Sequence, residues 1–202
     1  MAPRDSLKKK LVIVGDGYCG KTTLLLAFKD GKFNDVYVPT VFEDQTANLV
    51  VDGYNIVLNL WDTAGQEDYE RLRPLAYPES DVVLICFTVE QRASLENVQH
   101  VWLKEVLHYV HGVPIFLVAC KKDLRLDPAT QAKMAKQGTT FVSPEEGQGV
   151  ARAINAYRYV ECSAKTGENV IELFEEIGRS LIPQKKAGKN KKAKKSKKCV
   201  IL

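Results

Sequence analysis

Residues 15–22 of this 202-residue chain read Gly-Asp-Gly-Tyr-Cys-Gly-Lys-Thr and fit the phosphate-loop pattern G-x-x-x-x-G-K-[ST]. The apolar run at 11–14 predicts a buried strand before the loop, and the run at 23–29 predicts a helix after it. In that context, backbone N–H groups and the helix dipole form an anion site. A chance glycine-rich turn would match about once in a hundred chains of this length. The flanking strand and helix make chance rarer still.

The residue types inside the loop predict a nucleoside triphosphate as the anion. Glycines let the backbone wrap closely around phosphates, Lys21 can reach the outer phosphates, and the Thr22 hydroxyl can ligate Mg²⁺. The binding residues expected from this segment are Gly15, Asp16, Gly17, Tyr18, Cys19, Gly20, Lys21, Thr22 and Thr23.

Hydrophobic periodicity predicts an alternation of strands and helices along the rest of the chain. Strands are expected at 9–14, 44–51, 54–61, 82–87, 114–119 and 159–161, and helices at 20–30, 94–110, 144–154 and 168–181. Asp52-Gly53 predicts a hairpin between the second and third strands, so that pair is antiparallel. Residues 31–43 and 62–78 are predicted to be loops, and 125–143 is polar and weakly patterned. The pattern predicts an α/β fold with a mostly parallel six-stranded sheet and helices on both faces.

A second motif, Asp62-Thr63-Ala64-Gly65-Gln66, follows the third strand. Asp62 could hold Mg²⁺ through a water molecule, and the Gly65 N–H could approach a γ-phosphate. Gln66 is placed to orient an attacking water. Asp-x-x-Gly alone is also a common turn, but it lies in register with the phosphate loop about forty residues earlier.

Two further motifs follow later strands and point to guanine. The Asp123 carboxylate, in Lys121-Lys122-Asp123, could accept hydrogen bonds from the guanine N1–H and amino group, which adenine lacks as a pair. In isolation this tripeptide is more often a charged surface turn. A backbone N–H of Ser163-Ala164-Lys165 could reach the guanine O6. Because ligands bind at the carboxyl ends of parallel strands, all four motifs are expected to meet.

Composition places the chain in a reducing, intracellular setting. Five cysteines without paired spacing argue against a disulfide framework or a zinc site. No apolar run is long enough for a transmembrane helix, and no signal peptide is expected at the N-terminus. A reducing cytosol is the simplest setting for such a chain.

The charge is concentrated in a basic tail. Residues 184–202 contain nine lysines and no acidic residue, so subtracting nine from the net +4 leaves about −5 for residues 1–183. Such a segment cannot bury a core and is expected to be disordered.

The last four residues of the tail, Cys199-Val200-Ile201-Leu202, fit a prenylation signal whose final leucine favours geranylgeranyl on Cys199. A nuclear-localisation or nucleic-acid patch is the competing interpretation, disfavoured by the adjacent lipidation signal and the absence of arginine and aromatics. We expect an anionic membrane, and no nucleic acid, as partner.

With these four motifs, the sequence resembles a small GTPase of the Ras superfamily, most closely of the Rho family. The Rho resemblance lies in Val36-Tyr37-Val38-Pro39-Thr40-Val41-Phe42-Glu43 and in WDTAGQEDYERLRPLAYP at 61–78. It implies a GTPase domain over 1–183 with a Rho-type helical insert at about 125–140, switch segments at 33–43 and 62–78, and bound GTP or GDP with Mg²⁺. Thr40 would contact Mg²⁺ and the γ-phosphate, and Phe33 and Tyr37 would border the nucleotide.

The resemblance also implies a set of partners and a site in the cell. It implies a monomer that works with an exchange factor, a GTPase-activating protein, a dissociation inhibitor, geranylgeranyltransferase, and effectors such as kinases or actin regulators. It implies a cytoplasmic protein held peripherally at the inner face of the plasma membrane by its prenylated C-terminus. Control of the actin cytoskeleton, polarity or cell-wall growth would follow. No arginine lies within 31–43, which predicts slow intrinsic hydrolysis.

Two residues depart from the family pattern. Cys120 stands where most relatives carry an asparagine that ties the base-binding loop to the phosphate loop, and Tyr18 stands where they carry alanine or glycine. Both changes predict faster GDP exchange. Two alternatives to a hydrolysing switch stay open: a nucleotide-bound scaffold without useful turnover, and a P-loop kinase or ATPase. Intact Gly17, Thr40 and Gln66 favour the switch over the scaffold, and Asp123 disfavours the ATPase.

Overall fold

The computed structural model describes residues 4–33 and 42–183. In this part of the chain six strands form one sheet in the order β2-β3-β1-β4-β5-β6. The strands are β1 (Arg4–Gly15), β2 (Phe42–Val51), β3 (Tyr54–Thr63), β4 (Val82–Thr88), β5 (Ile115–Cys120) and β6 (Arg158–Glu161). Only the β2–β3 pair is antiparallel among the strand pairs described, which confirms the predicted hairpin and the mostly parallel sheet.

Helices connect the strands. They are α1 (Lys21–Asp30), α2 (Arg92–Asn97), α3 (Leu103–Tyr109), α4 (Pro128–Lys136), α5 (Pro144–Ala153) and α6 (Val170–Leu181). A π-helical turn (Val98–Trp102) joins α2 to α3, and short 3₁₀ turns lie at Glu67–Tyr69, Arg73–Ala76 and Lys122–Leu126.

The sheet carries a hydrophobic core on each face because successive strand residues point to opposite sides. On β1, Leu11 and Ile13 pack into the core beneath α1 and α6, whereas Val12 and Val14 pack into the core beneath α3 and α5. All four are fully buried. Each contributes about 1.5–3 kcal/mol by burial. The helices therefore cover both faces, as predicted.

Two strands begin two or more residues earlier than the sequence predicts. β1 begins at Arg4 instead of residue 9, because pairing with β3 extends through this polar, lysine-containing stretch. A search for hydrophobic periodicity does not detect a strand of that composition. β2 begins at Phe42, inside a segment predicted to be a loop, because Phe42 pairs with Thr63 at the end of the hairpin ladder. Both additions come from cross-strand pairing and not from local composition.

One helical region differs from expectation, and another agrees with it. The single helix predicted at 94–110 is interrupted by the π turn Val98–Trp102. The polar segment at 125–143 contains α4, within the span for which the resemblance implies a helical insert; the N-cap of α4 is Asp127 and its first residue is Pro128. Aspartate at the N-cap and proline at the first helical position are typical of a helix start.

Several predictions lie outside the described residues. Tyr37 and Thr40 fall in 34–41, and Cys199 falls in the tail at 184–202. Across residues 4–33 and 42–183, no helix has both the length and the apolar character needed to cross a membrane.

Candidate active site

The four motifs meet at the carboxyl edge of the parallel strands. They enclose a cavity of about 570 Å³, a size typical of small-molecule sites. The predicted site residues that line it are Gly17, Tyr18, Gly20, Lys21, Thr22, Thr23, Phe33, Gly65, Gln66, Lys121, Asp123, Ala164 and Lys165.

Other residues support or complete this cavity. The predicted residues that stand outside its lining are Gly15, Asp16, Cys19, Asp62 and Ser163. The lining residues that were not predicted are Leu24, Leu26, Glu43, Thr63, Ala64, Cys120, Leu124 and Cys162. Most of these lie within or directly beside a motif, so adjacency in sequence was the signal that could have found them. Glu43 closes the motif at 36–43, so the same signal applies to it.

Close backbone packing explains why two positions of the site, Gly15 and Gly65, are glycines. Gly15 has φ +143°, and a Cβ there would lie 2.2 Å from the Cys86 carbonyl oxygen. A Cβ on Gly65 would lie 2.4 Å from the Gly17 nitrogen. The motif after β3 is thus pressed directly against the phosphate loop. It brings Gln66 alongside, with Cγ 3.7 Å from where a Gly17 Cβ would lie.

The Lys21 ammonium is held against the phosphate loop. Its Nζ donates hydrogen bonds to the carbonyl oxygens of Gly15 (2.7 Å) and Asp16 (2.8 Å). The side chain is 5% exposed and still lines the cavity. A fixed positive charge therefore lies at the floor of the loop, where an anion would neutralise it.

A hydroxyl and a carboxylate meet beside Lys21. The Thr22 hydroxyl donates to Asp62 Oδ2 at 2.5 Å. Asp62 is 2% exposed at the end of β3, and its neighbour Thr63 fixes that strand by donating to the Ile13 carbonyl at 2.7 Å. Two hard oxygen ligands therefore converge at the phosphate end of the cavity.

At the opposite end, the Asp123 carboxylate is fixed by its neighbours. The Ser163 hydroxyl donates to Asp123 Oδ1 at 2.6 Å and itself accepts from the Thr166 N–H at 3.1 Å. The Ser163 N–H donates to the Glu168 carbonyl at 3.0 Å. Of the tripeptide predicted to donate a backbone N–H to a base, Ala164 and Lys165 therefore remain the candidates.

Cys120 does not make the asparagine-like tie that the family pattern places here; it joins a cluster of thiols. It contacts the thiols of Cys162 and Cys86, and hydrogen bonds from these two, in that order, lower the pKa of Cys120. Its Cβ lies 3.5 Å from where a Gly20 Cβ would be, so it reaches the phosphate loop through packing. Burial raises the pKa of Cys19 to about 12, so that thiol stays protonated.

Tyr18 projects away from the loop, as expected for a ring too large to point inward. Its side chain is 62% exposed, and its φ is +63°. A left-handed conformation costs a residue other than glycine about 1–2 kcal/mol. The phosphate loop of this chain therefore carries local strain that a glycine would remove.

We expect Tyr18→Gly to slow GDP release about fivefold, because removing about 1 kcal/mol of strain stabilises the bound loop. Release of a fluorescent GDP analogue measures this rate, with Tyr18→Ala as a second variant that removes the ring alone. Tyr157→Ala is the control, since Tyr157 is 56% exposed and lies outside the cavity lining. Equal, slow release from the parent and both Tyr18 variants would contradict the prediction.

Comparison with known proteins places the chain in a family. The model of the Ras family matches residues 10–183. GTP-binding protein RHO1 of Saccharomyces cerevisiae is 56% identical over 203 residues, covering 98% of this chain and 97% of that protein. GTP-binding protein rho5 of Schizosaccharomyces pombe is 55% identical over 196 residues, covering 97% and 98%. The rho1 protein of the same yeast is 54% identical over 198 residues, also covering 97% and 98%. The chain therefore belongs to the Ras family and is a Rho-type small GTPase, an enzyme that hydrolyses GTP.

Proposed function

We propose that this Rho-type GTPase is a membrane-anchored switch that cycles between GDP- and GTP-bound states through the cavity described above. The observation that carries the proposal is that Lys21, Gln66 and Asp123 line one cavity. Phosphate-binding, water-orienting and base-selecting groups can therefore act on one nucleotide. The yeast relatives are GTP-binding proteins by name, which supports guanine as the base.

The oxygen pair of Thr22 and Asp62 fits Mg²⁺ as the metal of this site. Hard oxygen ligands suit Mg²⁺, which protein sites hold through one or two carboxylates together with substrate phosphates. Across residues 4–33 and 42–183, no group of three or more acidic, His or Cys side chains could hold a metal by itself, which agrees with that mode of binding. Thr40 is proposed as a further ligand. When bound, the ion neutralises charge on the phosphates.

Hydrolysis would proceed by positioning rather than by covalent catalysis. Lys21 stabilises the negative charge on the transferred phosphoryl group, and Gln66 orients water in line with it. Gly65 lies against the phosphate loop, so its N–H would contact the γ-phosphate when that phosphate is present. Because 31–43 lacks arginine, an activating protein would supply one in trans, worth about 10³–10⁵ in rate.

Loss of the γ-phosphate would release the two switch segments at 33–43 and 62–78 and change which partners bind. Phe33 lines the cavity, and we propose that Phe33 and Tyr37 border the nucleotide. The partners proposed are exchange factors, activating proteins, a dissociation inhibitor, and effectors such as kinases or actin regulators. The processes proposed are control of actin, polarity or cell-wall growth.

The proposed anchor lies in the tail after the GTPase domain of residues 1–183. A geranylgeranyl chain on Cys199 would give only marginal membrane binding by itself. The nine lysines of 184–202 would add about 1 kcal/mol each near an anionic leaflet. A lipid and a basic segment together support stable yet releasable attachment at the inner face of the plasma membrane.

We expect Cys199→Ser to abolish the anchor. The C-terminal peptide of the protein purified from a eukaryotic host should carry an isoprenoid mass, and the variant should lack it. Flotation with phosphatidylserine vesicles should fall about tenfold or more, because the contribution of the isoprenoid chain is lost. Ser196→Ala, a neighbour outside the signal, is the control. An unmodified peptide in the parent protein would overturn the proposed anchor.

Single-turnover hydrolysis separates the switch from a scaffold that holds nucleotide without useful turnover. GTP preloaded on the protein should turn over slowly alone and about 10³–10⁵ faster with a Rho-type activating protein. A scaffold would show no stimulation. No observation at this site favours the scaffold, since the groups that line the cavity include both Lys21 and Gln66.

A further inference from the structure

The Asp16 carboxylate is bound on both oxygens by the connection between α2 and α3. Trp102 Nε1 donates to Oδ1 at 2.6 Å, and Asn97 Nδ2 donates to Oδ2 at 2.8 Å. In a regular α-helix, side chains five residues apart point about 140° away from each other. The π turn Val98–Trp102 between them widens the helix and lets both reach one carboxylate.

The indole of Trp102 also contacts the second switch. The Arg73 guanidinium lies over the ring, 4.6 Å from its centroid. Trp102 is 3% exposed and the Arg73 side chain 4%. One indole thus connects the phosphate loop, through its N–H, to the 3₁₀ turn Arg73–Ala76, through its face.

Burying the charged Arg73 side chain costs desolvation free energy. Its Nε lies 3.1 Å from Glu105 Oε1, and the same carboxylate oxygen accepts a hydrogen bond from the Tyr77 hydroxyl at 2.6 Å. Burial, followed by the Glu105 hydrogen bond, raises the pKa of Tyr77, so its phenol remains a donor. Within the described residues, neither Nε nor Nη1 of Arg73 has a hydrogen-bond partner, although Nε is ion-paired with Glu105. A buried ion pair with an unsatisfied donor contributes little to stability, which points to a different reason for its presence.

The other end of the same switch segment meets the same loop turn. A Cβ on Gly65 would lie 2.4 Å from both the Asp16 carbonyl carbon and the Gly17 nitrogen. Residues 65–73 are therefore tied to the phosphate loop at both ends, directly at Gly65 and through Trp102 at Arg73. Gln66 is the second residue of this tethered segment.

We propose that Trp102 is a positioning residue for GTP hydrolysis, which braces Arg73 against Asp16 and thereby holds Gln66 in place. We call Asp16, Asn97, Trp102 and Arg73 the brace. The proposal rests on the proposed role of Gln66 in orienting water. Asn97, Trp102 and Arg73 lie outside the cavity lining. The brace therefore acts on rate through the conformation of residues 65–73.

Trp102→Phe tests the brace most cleanly, because it removes the N–H that binds Asp16 and keeps an aromatic ring beneath Arg73. We expect single-turnover hydrolysis of preloaded GTP to fall about tenfold or more, in line with losing a hydrogen bond to a charged group. GTP affinity should change less than twofold. Trp61→Phe makes the same chemical change under Lys10, outside the brace, and should leave the rate unchanged.

Two further readouts separate positioning from loss of structure. Amide exchange in 65–77 should increase in the GTP-bound Trp102→Phe variant, while exchange in β4 and β5 stays as in the parent. Arg73→Met should slow hydrolysis alone but add less than twofold to Trp102→Phe, because the connection is already broken. If Trp102 and Arg73 acted independently, the double variant would show the product of the two single rate losses. That result would overturn the brace.

A second variant keeps the test decisive if Trp102→Phe folds poorly. Asn97→Ala removes the other hydrogen bond to Asp16 and should slow hydrolysis about two- to fivefold. If both variants hydrolyse GTP at the parental rate, the brace is wrong. If Gln66→Leu hydrolyses GTP at the parental rate, the proposed role of Gln66 fails instead, so the two failures are distinguishable.

Discussion

Asp123→Asn is expected to weaken GTP binding by about 10⁴-fold and to create binding of xanthosine triphosphate, because a site built to hydrogen-bond one group rejects a base that lacks it. The carboxylate would accept from both the N1–H and the amino group of guanine. Asparagine offers one acceptor and one donor, and this pair matches the N1–H and C2 carbonyl of xanthine. The Ser163 hydroxyl, which donates to Asp123 Oδ1 at 2.6 Å, can donate equally to the asparagine oxygen.

Competition between labelled GTP and xanthosine triphosphate measures this change. Asp127→Asn is the control, because Asp127 is a nearby carboxylate that caps α4 by accepting from the Thr130 N–H. Asparagine caps helices as well as aspartate does, so the control should keep its preference for GTP. If the Asp123→Asn variant still prefers GTP, Asp123 does not select the base.

Gln66→Leu is expected to lower intrinsic hydrolysis about tenfold and to remove most of the 10³–10⁵ stimulation by an activating protein, because leucine cannot orient water. Nucleotide affinity should remain close to that of the parent, because Gln66 would contribute to the reaction and not to ground-state binding. Phosphate release from preloaded protein, with and without the activating protein, gives both rates.

Gln45→Leu is the matched control for this change. Gln45 lies on β2, where it accepts a hydrogen bond from Lys29 at 3.0 Å, and it is outside the cavity lining. The same loss of an amide there should leave hydrolysis within twofold of the parent. Hydrolysis by Gln66→Leu at the rate of the Gln45→Leu control would contradict the proposed mechanism.

The parts of the fold that were predictable are those with a local cause. The strand before 15–22 is predictable because Leu11 and Val12 are buried on opposite faces of the sheet, which gives an unbroken apolar run. The hairpin was predictable from Asp52-Gly53, where both residues have positive φ. The strand extension to Arg4 was not, because pairing with β3 and not hydrophobicity decides it.

The cavity was predictable as a set of motifs, but its supporting contacts were not. Trp102 and Asp16 are 86 residues apart, and the periodicity around Trp102 indicates only an apolar helix face. The π turn has no signature in that pattern. Cys120 could be recognised as a departure from the family, but its contacts with Cys86 and Cys162 depend on three strands converging.

The most direct test of the central claim is single-turnover hydrolysis by the full chain loaded with radiolabelled GTP, in the presence of a thousandfold excess of ATP. If one cavity binds a guanine nucleotide through Asp123 and hydrolyses it through Gln66, bound GTP should become GDP at a rate that ATP leaves unchanged. Chelating Mg²⁺ should speed nucleotide release. Displacement by ATP, or label that stays as GTP even with an activating protein, would contradict the account.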